Sequence, residues 1–431
     1  MPEGPTCYLG GVLDLLLQNA RVLGEEAPRD LGVRGELLAE PAPGEGARQT
    51  IDLAGALVSP PLVEPHIHLD AVLTAGQPRH NESGSLFEGI AIWGERVADL
   101  TVDDVKQRVR TVLRWQLANG VQHVRGHIDV CDSQLTALRA LVELREEVAG
   151  QMNLQLVAFP QQGIFSFEDG EQLMRRAVAL GADVVGAIPH FELTRDMGVR
   201  SVEFAFALAD EHGLLVDVHC DETDDDQSRF TEVMAAETIG RRMAGRVTAS
   251  HTTAMHSYNN AYAGRLITNI ARSGMHMVTN PLDNSVLQGR FDHYPIRRGH
   301  TRIKELQAAG ITVAIGHDSL MDPWYPLGVG DPLQAAFVLA HYGQMTGRSE
   351  IARLLRMITS DPARVMALDD YGLRVGGPAS LVVFGVPSEF DAVRLVPRRQ
   401  LVLRRGSIVA RSETHQTVVW DGVEEEVTYL P

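Results

Sequence analysis

Two histidines that lie two residues apart could bind a metal ion together. His66 and His68 follow an apolar run that contains several prolines, a pattern typical of the end of a β-strand. Side chains two residues apart on an extended backbone point to the same side, so both imidazoles can reach one ion. His219, His251 and Asp318 stand at the ends of three later apolar runs, and the five residues together predict a metal site.

His66, His68, His219 and Asp318 offer three imidazoles and one carboxylate. This set suits one Zn²⁺ or Fe²⁺ ion with a position left open for water. Such an ion lowers the pKa of its bound water toward ~7, which makes hydroxide available at neutral pH. We therefore predict a hydrolytic enzyme whose cofactor is one divalent metal ion, Fe²⁺ or Zn²⁺.

The lysines of the chain exclude one related type of metal site. Some barrel hydrolases bind two metal ions that are bridged by a carboxylated lysine at a strand end. Lys106 and Lys304 are the only lysines here, and neither lies at the end of an apolar run. The sequence therefore predicts one metal ion rather than a lysine-bridged pair.

Three further residues have roles that their positions leave open. Glu222 lies just past the end of an apolar run, where a general acid or base belongs, but its aspartate neighbours also fit an acidic, solvated loop. His251 could orient a water molecule or stabilise developing charge, or it could be a fifth ligand or a structural residue. His190 either supports the site from behind or is structural. His80, His123, His127, His256 and His341 are expected to be structural.

The middle of the chain alternates between apolar runs and amphipathic segments. Eight runs predict β-strands: residues 57–68, 121–129, 154–161, 182–190, 214–219, 246–251, 276–280 and 312–318. Residues 102–117, 135–148 and 171–180 predict helices, and Gly181 follows the last as a C-cap. This pattern predicts an α/β fold, the (β/α)₈ barrel, whose active site lies at the carboxyl ends of the strands. Gln161 would join the metal-binding residues there.

Both ends of the chain predict short strands instead. Candidate strands are residues 13–23, 51–53, 379–384, 401–403 and 408–410, and residues 40–46 predict a loop. We therefore expect a small β-sandwich domain formed from both termini. Its two parts would be residues 1–58 and 369–431, with the catalytic barrel at 59–368.

Composition limits the possible binding partners and cellular location of the protein. The net charge of −17 and the lack of a basic run argue against a nucleic-acid partner, and the apolar runs are too short to cross a membrane. Cys7, Cys131 and Cys220 are far apart and odd in number, which favours a reducing compartment. Residues 1–5 lack the pattern of a signal peptide. We therefore expect a cytoplasmic location.

Longer motifs carry a family resemblance. They are residues 61–70, 75–78, 84–89, 157–161, 183–192, 217–222, 248–258, 287–292 and 322–328. With these motifs, from about residue 50 to the end, the chain resembles the amidohydrolase superfamily and, within it, the bacterial cytosine deaminases of the barrel type. The resemblance implies a free pyrimidine base as the substrate, pyrimidine salvage as the setting, and a homo-oligomer.

The resemblance also implies roles for the site residues. The metal ion would be bound by the four residues already named, with iron favoured. Glu222 would move a proton from the attacking water to the ring nitrogen beside the reacting carbon, while His251 and Asp318 orient and deprotonate that water. Gln161 would hydrogen-bond the carbonyl edge of the ring, helped by the backbone at Leu86. Trp324 would pack on the ring.

One residue departs from the pattern of the family. Family members with cytosine activity carry two adjacent aspartates after Gly-His, whereas this chain has Asp318 followed by Ser319. That second position lies near C5 of the pyrimidine in the family. Serine is smaller and uncharged, so it leaves room for a methyl group and removes a carboxylate that would disfavour one. We therefore hypothesise that 5-methylcytosine is accepted or preferred; the alternative is that Ser319 has no effect and cytosine remains the main substrate.

Three other functions compete with this interpretation. A related deaminase could act on isoguanine, creatinine or a triazine-type ring, although Gln161, Trp324 and residues 288–291 favour a pyrimidine. A barrel without metal could be a binding protein, but every expected ligand and Glu222 are present. A nucleic-acid editing enzyme is disfavoured by the acidic charge and by the absence of the His-x-Glu and Cys-x-x-Cys signature.

Overall fold

A computed structural model of the chain describes residues 12–413 and 415–430. The chain divides into two compact units: residues 62–369 form the larger, and the segments up to Pro61 and from Asp370 onward form the smaller. Cys131 and Cys220 are buried free thiols. Cys7 and residues 1–5, which entered the expectations about compartment, lie outside the described residues.

The smaller unit begins with a group of short strands. Residues 12–61 contain β1 (Leu13–Val22), β2 (Arg29–Arg34), β3 (Leu37–Ala39), β4 (Ala47–Asp52) and β5 (Leu57–Ser59). β1 pairs antiparallel with β2 and parallel with both β4 and β5. Alternate side chains of β1, including Leu15 and Leu17, enter an apolar core. Residues 40–46 connect β3 to β4 as the expected loop.

The larger unit is built on a ring of parallel strands. Residues 62–369, all of them described, contain eight: β6 (Leu62–Ile67), β7 (Val121–Asp129), β8 (Asn153–Phe159), β9 (Val184–Ala187), β10 (Leu215–Cys220), β11 (Val247–His251), β12 (His276–Thr279) and β13 (Val313–Ile315). They pair in chain order. Just beyond β13, the Asp318 N–H donates to the His66 carbonyl and the His68 N–H donates to the Asp318 carbonyl, both at 2.8 Å. These bonds close the ring, and the predicted (β/α)₈ barrel is confirmed.

Helices connect the strands of the barrel. They are α1 (Leu86–Val97), α2 (Val102–Ala118), α3 (Thr136–Val148), α4 (Gly170–Leu180), α5 (Arg195–His212), α6 (Phe230–Arg241), α7 (Asn260–Ser273), α8 (Pro281–Leu287), α9 (Ile303–Ala308), α10 (Pro332–Tyr342), α11 (Arg348–Met357) and α12 (Ser360–Val365). Local sequence defines their ends: the Thr101 hydroxyl accepts a hydrogen bond from the Asp104 N–H at the start of α2, and Gly181 ends α4 with a φ of 112°. The three helices predicted from the sequence are confirmed.

The remaining strands return to the smaller unit. After the barrel come β14 (Leu381–Val383), α13 (Glu389–Leu395), β15 (Leu401–Arg404), β16 (Ser407–Arg411), β17 (Thr417–Trp420) and β18 (Val423–Glu426). β14 pairs with β5 and with β15, so strands from both ends of the chain share one sheet. The expected small β-domain formed from both termini is confirmed. β17 and β18 form a separate, exposed hairpin.

One predicted strand is two strands in the structure. The apolar run at residues 57–68 contains both β5 and β6, which belong to different sheets. Pro60 and Pro61 separate them, because proline has no N–H to donate to a strand ladder. The other predicted barrel strands match the observed ones to within a few residues at each end.

Among residues 12–413 and 415–430, no helix has the length and apolar character that a membrane span requires. Both lysines lie on helices, Lys106 on α2 and Lys304 on α9. Lys106 forms ion pairs with Glu143 and Glu147 of α3. Neither lysine is therefore placed to bridge two metal ions at a strand end.

Candidate active site

Five side chains that could bind a metal ion converge at the carboxyl ends of the barrel strands. The Nε2 atom of His219 lies 3.2 Å from that of His66 and 3.0 Å from that of His68. The Oδ1 atom of Asp318 lies 3.3 Å from both His66 Nε2 and His68 Nε2. His251 joins them, with Nδ1 3.7 Å from Asp318 Oδ2. The sequence had placed all five at strand ends, and the fold brings them together.

The backbone at the strand ends turns these side chains inward. His251 has a φ of 68° and Asp318 a φ of 71°, both in the left-handed region that non-glycine residues seldom adopt. Strained conformations of this kind persist only where the surrounding structure holds them, and they are concentrated at functional sites. At Asp318 the two barrel-closing hydrogen bonds hold this conformation.

The charge states of the cluster fit a divalent cation. Burial, together with the neighbouring imidazoles, lowers the pKa of His219 well below its ordinary value, so its ring is neutral. Burial also lowers the pKa of His251, although Asp318 acts in the opposite direction. Burial alone would raise the pKa of Asp318, but His251 and His66 lower it well below the ordinary value. The neutral imidazoles of His219 and His251 beside the ionised carboxylate of Asp318 offer lone pairs that a metal ion would satisfy.

Glu222 is a buried residue of this site and not part of a solvated loop. Its side chain is 3% exposed, and its Oε1 lies 3.3 Å from His251 Nδ1. Burial, and then the nearby charge of Asp318, raise the pKa of Glu222 well above its ordinary value. A carboxyl group with a raised pKa can hold a proton and release it, as a general acid and base requires.

Three of the predicted ring-binding residues are Gln161, Trp324 and Leu86, and the last two pack in an apolar cluster with residues of α1. Gln161 is buried just beyond β8, and Trp324 is buried with its ring centroid 5.8 Å from that of His68. The indole N–H of Trp324 has no hydrogen-bond partner among the described residues. Leu86 is the first residue of α1, where a backbone N–H has no partner within the helix, and its side chain packs against the apolar cluster around Trp324.

Ser319 lies beside acidic residues whose proximity to it was not predicted from the sequence. It is 1% exposed, and its hydroxyl acts to lower the pKa of the neighbouring Asp283 and Asp322. Burial, with the charges of Asp318 and Asp322, raises the pKa of Asp283 well above its ordinary value. Burial raises the pKa of Asp322 to about 6. The residue next to Asp318 therefore carries a short, buried hydroxyl side chain beside two carboxyl groups.

Some side chains near the site were not predicted to belong to it, and the role of His190 was left open. His127, expected to be structural, stacks on His66 with ring centroids 3.8 Å apart, beneath the metal-binding atoms. Asn284 Nδ2 lies 3.1 Å from His251 Nδ1, and Asn280 Nδ2 lies 3.3 Å from both nitrogens of that ring. His190 follows β9 in a short 3₁₀ turn and does not belong to the metal-binding groups of the described chain. The signal that could have found His127 and Asn280 is their position at the ends of strand runs.

Substitution of Gly89 by alanine is expected to displace Trp324. A Cβ atom at Gly89 would lie 2.3 Å from Trp324 Cδ1, so the indole ring must move. We expect an increase of roughly tenfold or more in KM, because small displacements of substrate-positioning groups have large kinetic effects. Steady-state kinetics measures the increase in KM, and tryptophan fluorescence measures the displacement of the indole ring.

Gly94, in the same helix, provides the matched control. A Cβ there would meet only Gln162 Nε2, at 3.8 Å, which is ordinary contact. G94A should keep the wild-type KM and emission spectrum. An unchanged KM in G89A would contradict a role for Trp324 in ring binding.

Comparison with known proteins identifies the family. A family model described as "Amidohydrolase family" matches residues 49–410. The chain belongs to the amidohydrolase family, which confirms the resemblance seen in the motifs.

Solved and characterised relatives give a finer comparison. The crystal structure of a 5-methylcytosine deaminase from Klebsiella pneumoniae liganded with 5-fluorocytosine is 46% identical, has a TM-score of 0.90, and is matched over 93% of this chain and 98% of that chain. The N-isopropylammelide isopropyl amidohydrolase of Pseudomonas sp. (strain ADP) is 28% identical over 413 residues, which are 93% of this chain and 98% of that protein. A pterin deaminase of Rhizobium rhizogenes is 29% identical over 388 residues, which are 88% of this chain and 86% of that protein.

Proposed function

We propose that this chain is a metal-dependent deaminase of a free pyrimidine base. It converts cytosine to uracil, 5-methylcytosine to thymine, or both, with water consumed and ammonia released. The observation that carries the proposal is the 46% identity to a 5-methylcytosine deaminase, matched over 93% of this chain. The buried cluster of imidazoles and carboxyl groups supports it, because hydrolytic removal of an amino group needs an activated water and a proton carrier.

The proposed cofactor is one Fe²⁺ or Zn²⁺ ion, which would be held by His66, His68, His219 and Asp318. When bound, such an ion lowers the pKa of a coordinated water molecule. The side chains of the site carry out the remaining steps. His251 orients the water, Asp318 accepts a hydrogen bond from it, and Glu222 takes its proton and delivers it to the ring nitrogen beside the reacting carbon.

Three groups are proposed to orient the ring. The Gln161 amide can both donate and accept, so it pairs with the carbonyl and nitrogen edge of a pyrimidine, and the backbone at Leu86 assists. Trp324 packs against the ring. A buried amide is selective, because a ring without the matching donors and acceptors leaves it unpaired.

Ser319 is proposed to admit a substituent at C5. Its side chain is short and uncharged, and it lies beside the buried carboxyl groups of Asp283 and Asp322. A methyl group can therefore lie against Ser319 where a charged aspartate side chain would exclude it. The direct test compares kcat/KM for 5-methylcytosine and cytosine on one metal-loaded preparation. A value for 5-methylcytosine more than about a hundredfold below that for cytosine would contradict tolerance at C5.

Substitution of Ser319 by aspartate is expected to shift specificity toward cytosine. The larger, charged side chain should lower kcat/KM for 5-methylcytosine relative to cytosine by about 10- to 200-fold, which is the range for steric discrimination of one methyl group. S319N adds nearly the same bulk without the charge, so it separates size from charge. Thermal melting of each variant checks that the added group is tolerated beside Asp283. An unchanged ratio in both variants would show that Ser319 does not determine specificity.

A second candidate substrate is a different amino-substituted ring. Two relatives at 28% and 29% identity are named for N-isopropylammelide and for pterin, so this fold serves rings other than pyrimidines. Isoguanine, creatinine and triazine-type rings belong in the test panel for the same reason. Ammonia release from one of them, with no turnover of either cytosine, would favour this alternative.

We also propose a cytoplasmic homo-oligomer that binds neither nucleic acid nor membrane. The acidic net charge of −17 supports the absence of a nucleic-acid partner. The oligomer is supported by the family resemblance, and sedimentation of the purified chain tests it.

A further inference from the structure

We infer that Ser250, Asp217 and Arg125 form a hydrogen-bonded chain that keeps the proton of His66 on Nδ1 and presents the Nε2 lone pair to the metal ion. These three are positioning residues, since they act through His66. The inference rests on the proposed role of His66 as a ligand and is independent of which ring is the substrate.

The chain of hydrogen bonds crosses the interior of the barrel. Arg125 Nη1 lies 2.8 Å from Asp217 Oδ2, Asp217 Oδ1 lies 2.6 Å from Ser250 Oγ, and Ser250 Oγ lies 2.9 Å from His66 Nδ1. The residues come from β7, β10, β11 and β6, respectively. All four are 0% exposed, so water does not compete for these bonds.

The direction of each bond follows from the chemistry of the groups. A guanidinium can only donate, so the Asp217 carboxylate beside it is ionised and can only accept. The Ser250 hydroxyl has a single proton, and it donates that proton to Asp217. Toward His66 the hydroxyl therefore offers only a lone pair, so Nδ1 must be the donor. A neutral imidazole with its proton on Nδ1 has its lone pair on Nε2.

The far end of the chain is fixed. Arg125 also donates from Nε to Gln155 Oε1 at 2.7 Å and from Nη2 to the Val365 carbonyl at 3.0 Å. The guanidinium is thus held on three sides and cannot turn away from Asp217. At the other end, His66 Nε2 lies 3.2 Å from His219 Nε2 and 3.3 Å from Asp318 Oδ1, within the metal-binding cluster.

Loss of the Ser250 hydroxyl would leave the Nδ1–H of His66 without an acceptor. The ring could then place its proton on Nε2, where it would block the metal ion. Partners that orient a metal-binding histidine typically contribute 10- to 100-fold to metal affinity. Metal affinity is therefore the property that Ser250 should control.

The experiment measures Zn²⁺ affinity of the metal-free full chain by competition with a chromophoric chelator at neutral pH. We expect S250A to bind Zn²⁺ about 10- to 100-fold more weakly than wild type. S250T keeps the hydroxyl and should recover the affinity. T279V is the matched control, because Thr279 has a buried hydroxyl on the neighbouring β12 with no partner among the described residues. It should bind as wild type does.

Two results would overturn the inference. One is wild-type Zn²⁺ affinity in S250A; the other is S250T binding as weakly as S250A while its metal-free form melts like wild type. Thermal melting of each metal-free variant shows that the comparison is between folded proteins. The readout contains no substrate, so a failure of the proposed deaminase activity would leave it unaffected and would be seen separately.

Discussion

Substitution of Glu222 by glutamine should reduce kcat by about 10²- to 10⁴-fold while the enzyme keeps its metal. Glutamine has nearly the same shape, so it fits the buried position beside His251, where Oε1 lies 3.3 Å from Nδ1. It cannot take a proton from water or deliver one to the ring. The loss should therefore fall on the chemical step, and KM should change far less than kcat.

Metal analysis and substrate binding separate this outcome from simple damage. E222Q should contain as much metal as wild type and should still bind the pyrimidine. The neighbouring loop offers a control in Asp226, an exposed carboxylate that lies four residues further along the chain and accepts a hydrogen bond from the Gln227 side chain. D226N should keep wild-type activity. Near-normal turnover by E222Q would exclude Glu222 as the proton carrier.

Substitution of Asp318 by asparagine is expected to remove both the metal and the activity. We expect a loss of roughly a thousandfold or more in kcat/KM, because the site loses its proposed anionic ligand and the group that accepts a hydrogen bond from the water. The fold should survive. Asparagine tolerates the left-handed conformation that Asp318 adopts at φ 71°, and the bonds that close the barrel use only backbone atoms.

Metal content and structure are measured together on D318N. The expected protein is folded by circular dichroism, binds metal weakly and is inactive. This pattern differs from that of E222Q, which is folded, loaded with metal and inactive. A D318N enzyme with full metal content and full activity would remove Asp318 from the ligand set.

The barrel and the metal cluster could be predicted because each strand carries its own signal. A buried parallel strand is a short apolar run, and a polar residue at its end is visible without any alignment. His66, His219, His251 and Asp318 all stand at such ends. Active sites of barrel enzymes lie at the carboxyl ends of the strands, so these residues could be predicted to lie close together.

The supporting residues could not be found in the same way. Ser250 and Asp217 lie inside strands, where a polar side chain gives no hint of the partner it meets across the barrel. Asp283 lies on α8 and interacts with Ser319, beyond β13, only because the fold brings these two distant segments together. The strands β2 and β3 were missed because they are short and carry a weak alternating pattern. For the supporting side chains of the site, the deciding contact is between residues far apart in the sequence.

The closure of the barrel has a consequence for how the site comes into being. The backbone groups of His66, His68 and Asp318 form the seam between the first and last strands, and their side chains point into the metal-binding cluster. The first and last strands cannot pair unless these residues, which are some 250 positions apart in the sequence, come together. The approach of these three proposed ligands and the closure of the barrel are therefore one event. An ion that binds only to the closed form adds its binding free energy to that form. A bound metal ion would therefore stabilise the closed barrel against opening between its first and last strands.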